Sequence, residues 1–167
     1  MMKNNVDGYK CFNKNLICNQ ESFKMEEKKL YKIDEDIKFR HKGFHFCVRL
    51  EDTLRFFGGI DDEKEICKIK AVGDISWESD EYNGYYDMGV TNVIYIDHIL
   101  SRDEIMEYVD GLTDHRFIRF IMGYKLTKEE LEYFKNKYIN NFRVSNYLSY
   151  YQEKELDIFY RKRKLIK

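Results

Sequence analysis

The sequence predicts an α+β fold: a small, mostly antiparallel sheet with short helices, followed by a C-terminal three-helix layer. Three observations carry this. Tyr9 to Asn13, Phe44 to Leu50 and Glu65 to Val72 alternate apolar and polar residues with the period of two that a half-buried strand requires. Ser101-Arg102-Asp103-Glu104 and Thr127-Lys128-Glu129-Glu130 are capping boxes, in which a hydroxyl and a glutamate three residues on satisfy each other's backbone donors. From residue 113 the apolar positions change to helical spacing. Residues 1–112 are therefore expected to form the α+β core and residues 113–167 a helical extension. No Pro/Gly-rich linker separates the two, so the extension should pack on the sheet.

Taken in order, residues 8–75 read as β-rich with one short helix. The first strand sets Tyr9 and Cys11 against Lys10 and Phe12, and Asn13-Lys14-Asn15 turns the chain. The second puts Phe44, Phe46, Val48 and Leu50 on one face and His45, Cys47 and Arg49 on the other. Glu51-Asp52 opens a short helix carrying Leu54 and Phe57, stopped by Gly58-Gly59. In the third strand Cys67, Ile69 and Ala71 oppose Lys68 and Lys70. Residues 76–89 form a long polar connection with a turn signal at Asn83-Gly84, either a hairpin extension or a binding loop. Val90 to Asp97 is apolar on both parities, as a central strand is. A helix from Ser101 then turns Ile105, Met106 and Val109 inward and ends at Gly111. The last three helices carry Phe117, Ile118 and Ile121 behind an Asp114 cap, Leu131, Phe134 and Tyr138, and a stripe from Tyr147 to Phe159.

The chain has 14 Tyr and 12 Phe, so its core is expected to be aromatic-rich. The net charge of -1 hides an asymmetry: residues 113–167 hold 13 Lys and Arg against 7 Asp and Glu, and residues 1–112 hold 16 against 23. A basic rear and an acidic front suit mutual docking or an acidic partner. No apolar stretch approaches the roughly 18 residues needed to span a bilayer, and no apolar run follows the N-terminal Met1-Met2-Lys3. A cytoplasmic protein with reduced cysteines is expected, with no membrane partner.

Candidate chemistry is sparse. His45 offers an imidazole and Cys47 a thiol on one strand face, but alternate residues sit about 7 Å apart, too far for a tight pair without a second strand. His41, His45 and Cys47 with Cys11 or Cys67 would make a four-ligand set, but the spacing is not that of a zinc site, and no metal is expected. Asn92 either fixes a ligand or closes a turn. Trp77, Tyr82, Tyr85 and Tyr86 place four rings in the long connection, and Arg161, Lys162, Arg163 and Lys164 end the last helix in four cations. No phosphate-binding glycine loop, nucleophile elbow or HExxH is present, which argues against nucleotide-driven and common hydrolytic chemistry.

Four patches in register, Gly8 to Lys14, Gly43 to Cys47, Lys70 to Asp74 and Thr91-Asn92, resemble a family of uncharacterised proteins found mainly in bacteriophages and prophages (DUF7666-like) over residues 8–108. The resemblance implies a gene context and a fold but no reaction. The aromatic insert 76–89 and the helical tail depart from that family's pattern. A fainter resemblance, to the compact ADP-ribosyltransferase fold, implies Lys10, His45 and Glu104 as an NAD-using trio, with Lys10 standing where those enzymes carry Arg or His.

The expected function is macromolecule binding without a cofactor, in the form of interference with a host or defence complex. Trp77, Tyr82, Tyr85, Tyr86, Asn92 and Arg161 to Lys164 are the expected contact residues and a protein the first expected partner. The alternatives are an NAD-dependent transferase centred on Lys10, His45 and Glu104, and nucleic-acid binding through the basic C-terminal helix.

Overall fold

The structure, a computed structural model, describes residues 5–18, 23–34, 36–38, 41–54, 64–79 and 87–151. Among them seven strands form one antiparallel sheet: β1 (Val6–Asn13), β2 (Lys29–Lys32), β3 (Phe44–Cys47), β4 (Lys64–Ala71), β5 (Ile75–Ser79), β6 (Asp87–Thr91) and β7 (Val93–Ile99). The helices are α1 (Leu50–Thr53), α2 (Arg102–Asp110), α3 (Asp114–Ile121), α4 (Lys128–Lys137) and α5 (142–151). The protein is of the α+β class.

Strand alternation sorts side chains onto two faces, and both are buried. On the inner face Phe12, Phe46, Cys67, Ile69, Ala71, Ile94 and Ile96 pack with Leu16 and Met25. On the other, Ile66 joins Leu50 and Leu54 and the apolar sides of the later helices through to Leu148, with Tyr9 packed against them. That second cluster draws on both sides of residue 112. Strand β4 is thus covered twice, and each large apolar side chain so enclosed contributes about 1.5–3 kcal/mol.

The strand order β2-β7-β4-β1-β3-β6-β5 has a geometric consequence. Strands β6 and β7 stand four places apart, about 19 Å in a flat sheet. Yet only Asn92 separates them in the chain, and Thr91 and Val93 lie within about 7 Å of each other. The sheet must coil. Strands β4 and β5 run antiparallel to β7 and β6 as one long ribbon, from Cys67 opposite Ile99 to Ser79 opposite Asp87. The Val72 N–H donates to Val93 O at 2.9 Å across its corner. Strand β1 lines one half of the ribbon, β3 the other, and Tyr9 opposite Cys47 joins them. Phe46 fills the concavity. A Cβ on Gly89 would stand 2.5 Å from its ring, and one on Gly8 would stand 2.7 Å from Cys47 O. Only glycine permits those approaches.

Three expectations need correction. The strand expected over Phe44 to Leu50 ends at Cys47, because Leu50 is drawn into α1 and its apolar cluster. The central strand expected from Val90 is broken at Asn92 into β6 and β7, and neither lies at the centre of the sheet. At 76–89 the hairpin extension, one of the two expected readings, is what forms, with β5 and β6 paired antiparallel. Thr113, not Asp114, is the N-cap of α3, and Asp114 instead accepts a hydrogen bond from the Asn141 amide at 2.6 Å. Gly58-Gly59 and the stripe beyond residue 151 lie outside the described residues.

Candidate functional site

Lys10 and His45 lie on β1 and β3, but alternation points them to opposite faces. Lys10 shares the inner face with Phe12, its ammonium 5.4 Å from that ring, and donates to the His45 backbone oxygen at 2.9 Å. Burial holds the Lys10 amine below the ordinary lysine range, with the thiols of Cys18, Cys47, Cys11 and Cys67 acting in the other direction. Glu104 is elsewhere, in the first turn of α2. It accepts from Ser101 N and Ser101 Oγ, both at 2.8 Å, and its other oxygen lies 2.9 Å from His98 Nε2. The Ser101 bonds, then His98, pull its carboxyl down to about 2. So weak a base is poorly suited to proton abstraction at neutral pH. The three residues are not brought together.

The four cysteines are thiols. Burial pushes Cys47 up to about 12 and raises Cys67 further, which suits packing rather than nucleophilic attack. Among the described residues no three His, Cys, Asp or Glu are grouped to hold a metal ion.

Asn92 sits at the corner of the ribbon with its side chain committed to Asp74. Its Oδ1 accepts from Asp74 N at 2.9 Å and its Nδ2 donates to Asp74 Oδ2 at 3.3 Å. Trp77 is 48% exposed on β5, its ring edge-on to Phe46 at 5.6 Å. Tyr82, Tyr85, Tyr86 and Arg161 to Lys164 lie outside the described residues.

One feature is not legible in the sequence and a second is legible only in part. The first is ionic. Helix α1 buries Glu51 and Asp52 side by side. Arg116 grips Glu51, Nε to Oε1 at 2.5 Å and Nη2 to Oε2 at 3.2 Å, and Tyr108 donates to Oε2 at 2.9 Å. Burial alone would raise the Glu51 carboxyl, but Arg116, a backbone donor and Tyr108 outweigh it and hold the group below its usual range. Asp52 pairs with Arg119, yet its Oδ2 is buried without a hydrogen-bond partner. Burial prevails there and pushes Asp52 up to about 6. This network ties α1 to α3 and lies beneath the surface. The signal for it was two arginines three residues apart, flanking the apolar face that Phe117, Ile118, Phe120 and Ile121 give this helix.

The second feature is a surface. Val144 and Leu148 anchor α5 to the core, Asn141 Oδ1 caps it by accepting from Val144 N, and Tyr151 Oη donates to Tyr124 O. The outward side then shows Phe142 at 81% exposure and Tyr150 at 63%, with Tyr147 also exposed, and Ile139 is 69% exposed in the turn before the helix. Exposed rings at this density mark contact surfaces rather than ordinary solvent-facing helix.

A coiled antiparallel sheet backed by a helical layer is thus the setting for any site. Residues 6–83 match a domain of unknown function (DUF7666), which supports the resemblance seen at Gly8 to Lys14, Gly43 to Cys47 and Lys70 to Asp74. Thr91-Asn92 and the helical layer fall outside the matched span. No curated protein and no solved structure matches the chain significantly.

Proposed function

We propose that this chain is a macromolecule-binding protein, docking through the outward face of α5 onto a component of a host or defence complex. The observation that carries the reading is the row of exposed side chains at Phe142, Tyr147 and Tyr150 on a helix whose other side is fixed in the core, with Ile139 exposed in the turn before it. The face is rich in the ring-bearing residues that dominate interface energetics. The resemblance to phage and prophage proteins supports interference as the concrete form. The engagement of Lys10 by a backbone oxygen and of Glu104 by its own helix cap favours docking over transferase chemistry at those residues. The test is co-purification of the tagged full chain from its native host, for wild type, Phe142→Ser/Tyr150→Ser and His45→Ala. Binding predicts a co-purifying species retained by His45→Ala and lost by the double variant. The reverse pattern refutes the reading.

A further inference from the structure

The outward side of the helical layer has an unusual charge pattern. From Tyr133 to Tyr151 there is no Asp or Glu, in a chain that carries 30 of them in 167 residues. The same nineteen residues hold Lys135, Lys137 and Arg143. Lys137 is paired with Asp110, and Lys135 lies 3.5 Å from Glu132. Arg143 is exposed on α5 itself, between Phe142 and Tyr147. At Tyr151, the last described residue of α5, Oη accepts from Leu126 N and donates to Tyr124 O, which sets the backbone of exposed Lys125 beside it. The residues between the rings are amides and hydroxyls: Asn140, Ser145, Asn146 and Ser149.

We infer that this face takes a single-stranded nucleic acid, its bases stacking on Phe142, Tyr147 and Tyr150 and its phosphates meeting Arg143 and Lys125. The inference rests on the docking reading above and names its partner. Charge decides between occupants. Three carboxylates reach the edge of the face and each is engaged, Asp110 by Lys137, Glu132 by Lys135 and Asp114 by the Asn141 amide. Among the described residues Arg143 and Lys125 have no carboxylate partner, so a polyanion meets two cations that no acid there already holds. Exposed rings separated by small polar groups serve any base, because every base has a π face. Phe142 and Tyr150 lie eight residues apart, about 12 Å along the helix axis, room for more than one base between them.

The experiment is fluorescence anisotropy on the full-length chain with labelled dT20 and rU20 and a 20-base-pair duplex, at 50 and 200 mM salt. Circular dichroism and melting confirm that each variant is folded. The expected result is saturable single-strand binding, preferred over duplex, weakened about fivefold or more for each ring removed by Phe142→Ser or Tyr150→Ser. Arg143→Gln should reduce the slope of log affinity against log salt by about 0.7. The inference is overturned by no binding of either single strand at 50 mM salt. It is also overturned by binding indifferent to both ring variants, or by binding abolished only when Arg161 to Lys164 are neutralised. Failure here, with co-purification still lost in Phe142→Ser/Tyr150→Ser, leaves docking intact with a partner of another class. Failure of both removes the face as a site.

Discussion

Cutting the buried ion pair between Glu51 and Arg116 from either side should have unequal consequences. The Glu51 side chain is fully enclosed, whereas about a third of Arg116 reaches solvent, at 32% exposure. In Arg116→Met the carboxylate keeps Tyr108 as a donor but loses its counter-charge in a site closed to water. Stranding one member of a buried pair costs about 3–5 kcal/mol. At roughly 3 °C per kcal/mol for a chain of this length, the melting temperature should fall by about 9–15 °C. In Glu51→Gln the stranded group is Arg116, which can turn to water, and the loss should be about 1–2 kcal/mol. Glu51→Leu/Arg116→Met removes both charges, and the Tyr108 hydroxyl still accepts from Leu50 N at 3.3 Å. That variant should return to within about 1–2 kcal/mol of wild type, because neither desolvated charge remains. The assay is urea unfolding at pH 7.5 on all four proteins and on Glu51→Leu, which closes a double-mutant cycle with Arg116→Met. The sign for pH follows from the lowered Glu51 carboxyl. Its contribution is present above the unfolded-state value near 4.5 and is lost as pH falls through the folded one. If Arg116→Met costs less than Glu51→Gln, or the double variant loses the sum of the singles, the pair does not work as described.

Asp52 should behave in the opposite sense: its carboxyl is raised from 3.8 to about 6, so its contribution to stability falls by about 2 kcal/mol as pH rises from 4 to 6. A carbon-detected titration of Asp52 with its midpoint below 4.5 would count against this. Phe117, buried between Phe134 at 4.7 Å and Tyr138 at 4.8 Å, should lose about 3–5 kcal/mol on Phe117→Ala, measured by chemical unfolding; a loss under 1 kcal/mol would mean the helical cluster is not packed on it. Gly89→Ala should cost about 1–3 kcal/mol by pushing on Phe46 and should change Trp77 fluorescence, since Trp77 also lies 3.2 Å from that added Cβ; unchanged emission and stability would contradict the packing. Cys47, with its thiol pushed up to about 12 by burial, should resist iodoacetamide at pH 8 in the folded protein and react on unfolding, as mass spectrometry of the labelled peptide will show.

The helices were the most legible elements because their start signals are local. Ser101 with Glu104 and Thr127 with Glu130 form both capping boxes in the structure, four residues each and independent of anything distant. The core strands were legible where alternation was strict, as at Cys67, Ile69 and Ala71, all fully buried. The sequence did not reveal what depends on long-range pairing. Val90 to Asp97 has the composition of one buried strand, and nothing local says that Asn92 turns a corner by bonding to Asp74, eighteen residues earlier. Lys29 to Lys32 was not singled out, because Lys-Leu-Tyr-Lys has little apolar alternation and becomes a strand only beside β7. The charged pair in α1 looked like a helix start, and its partners lie more than sixty residues away on α3. The outward face of α5 was half visible: the stripe including Tyr147 was noted, but which rings face out depends on which are claimed by the core.

The coiled sheet also fixes an order of events in folding. Strand β1 belongs to both halves of the ribbon, since Tyr9 meets Lys68 on one side and Cys47 on the other. Those contacts close loops of roughly 60 and 40 residues, an entropic cost met before the concavity exists to receive Phe46. Helix α4, ten residues long, is too short to persist alone and takes its stability from packing. The docking of β1 is then the slow, committing step, as expected where distant pairings dominate. Afterwards neither half of the ribbon can open without the other, so β1 and β4 should hold their amide protons longest, and the chain should unfold from the rim of the sheet inward.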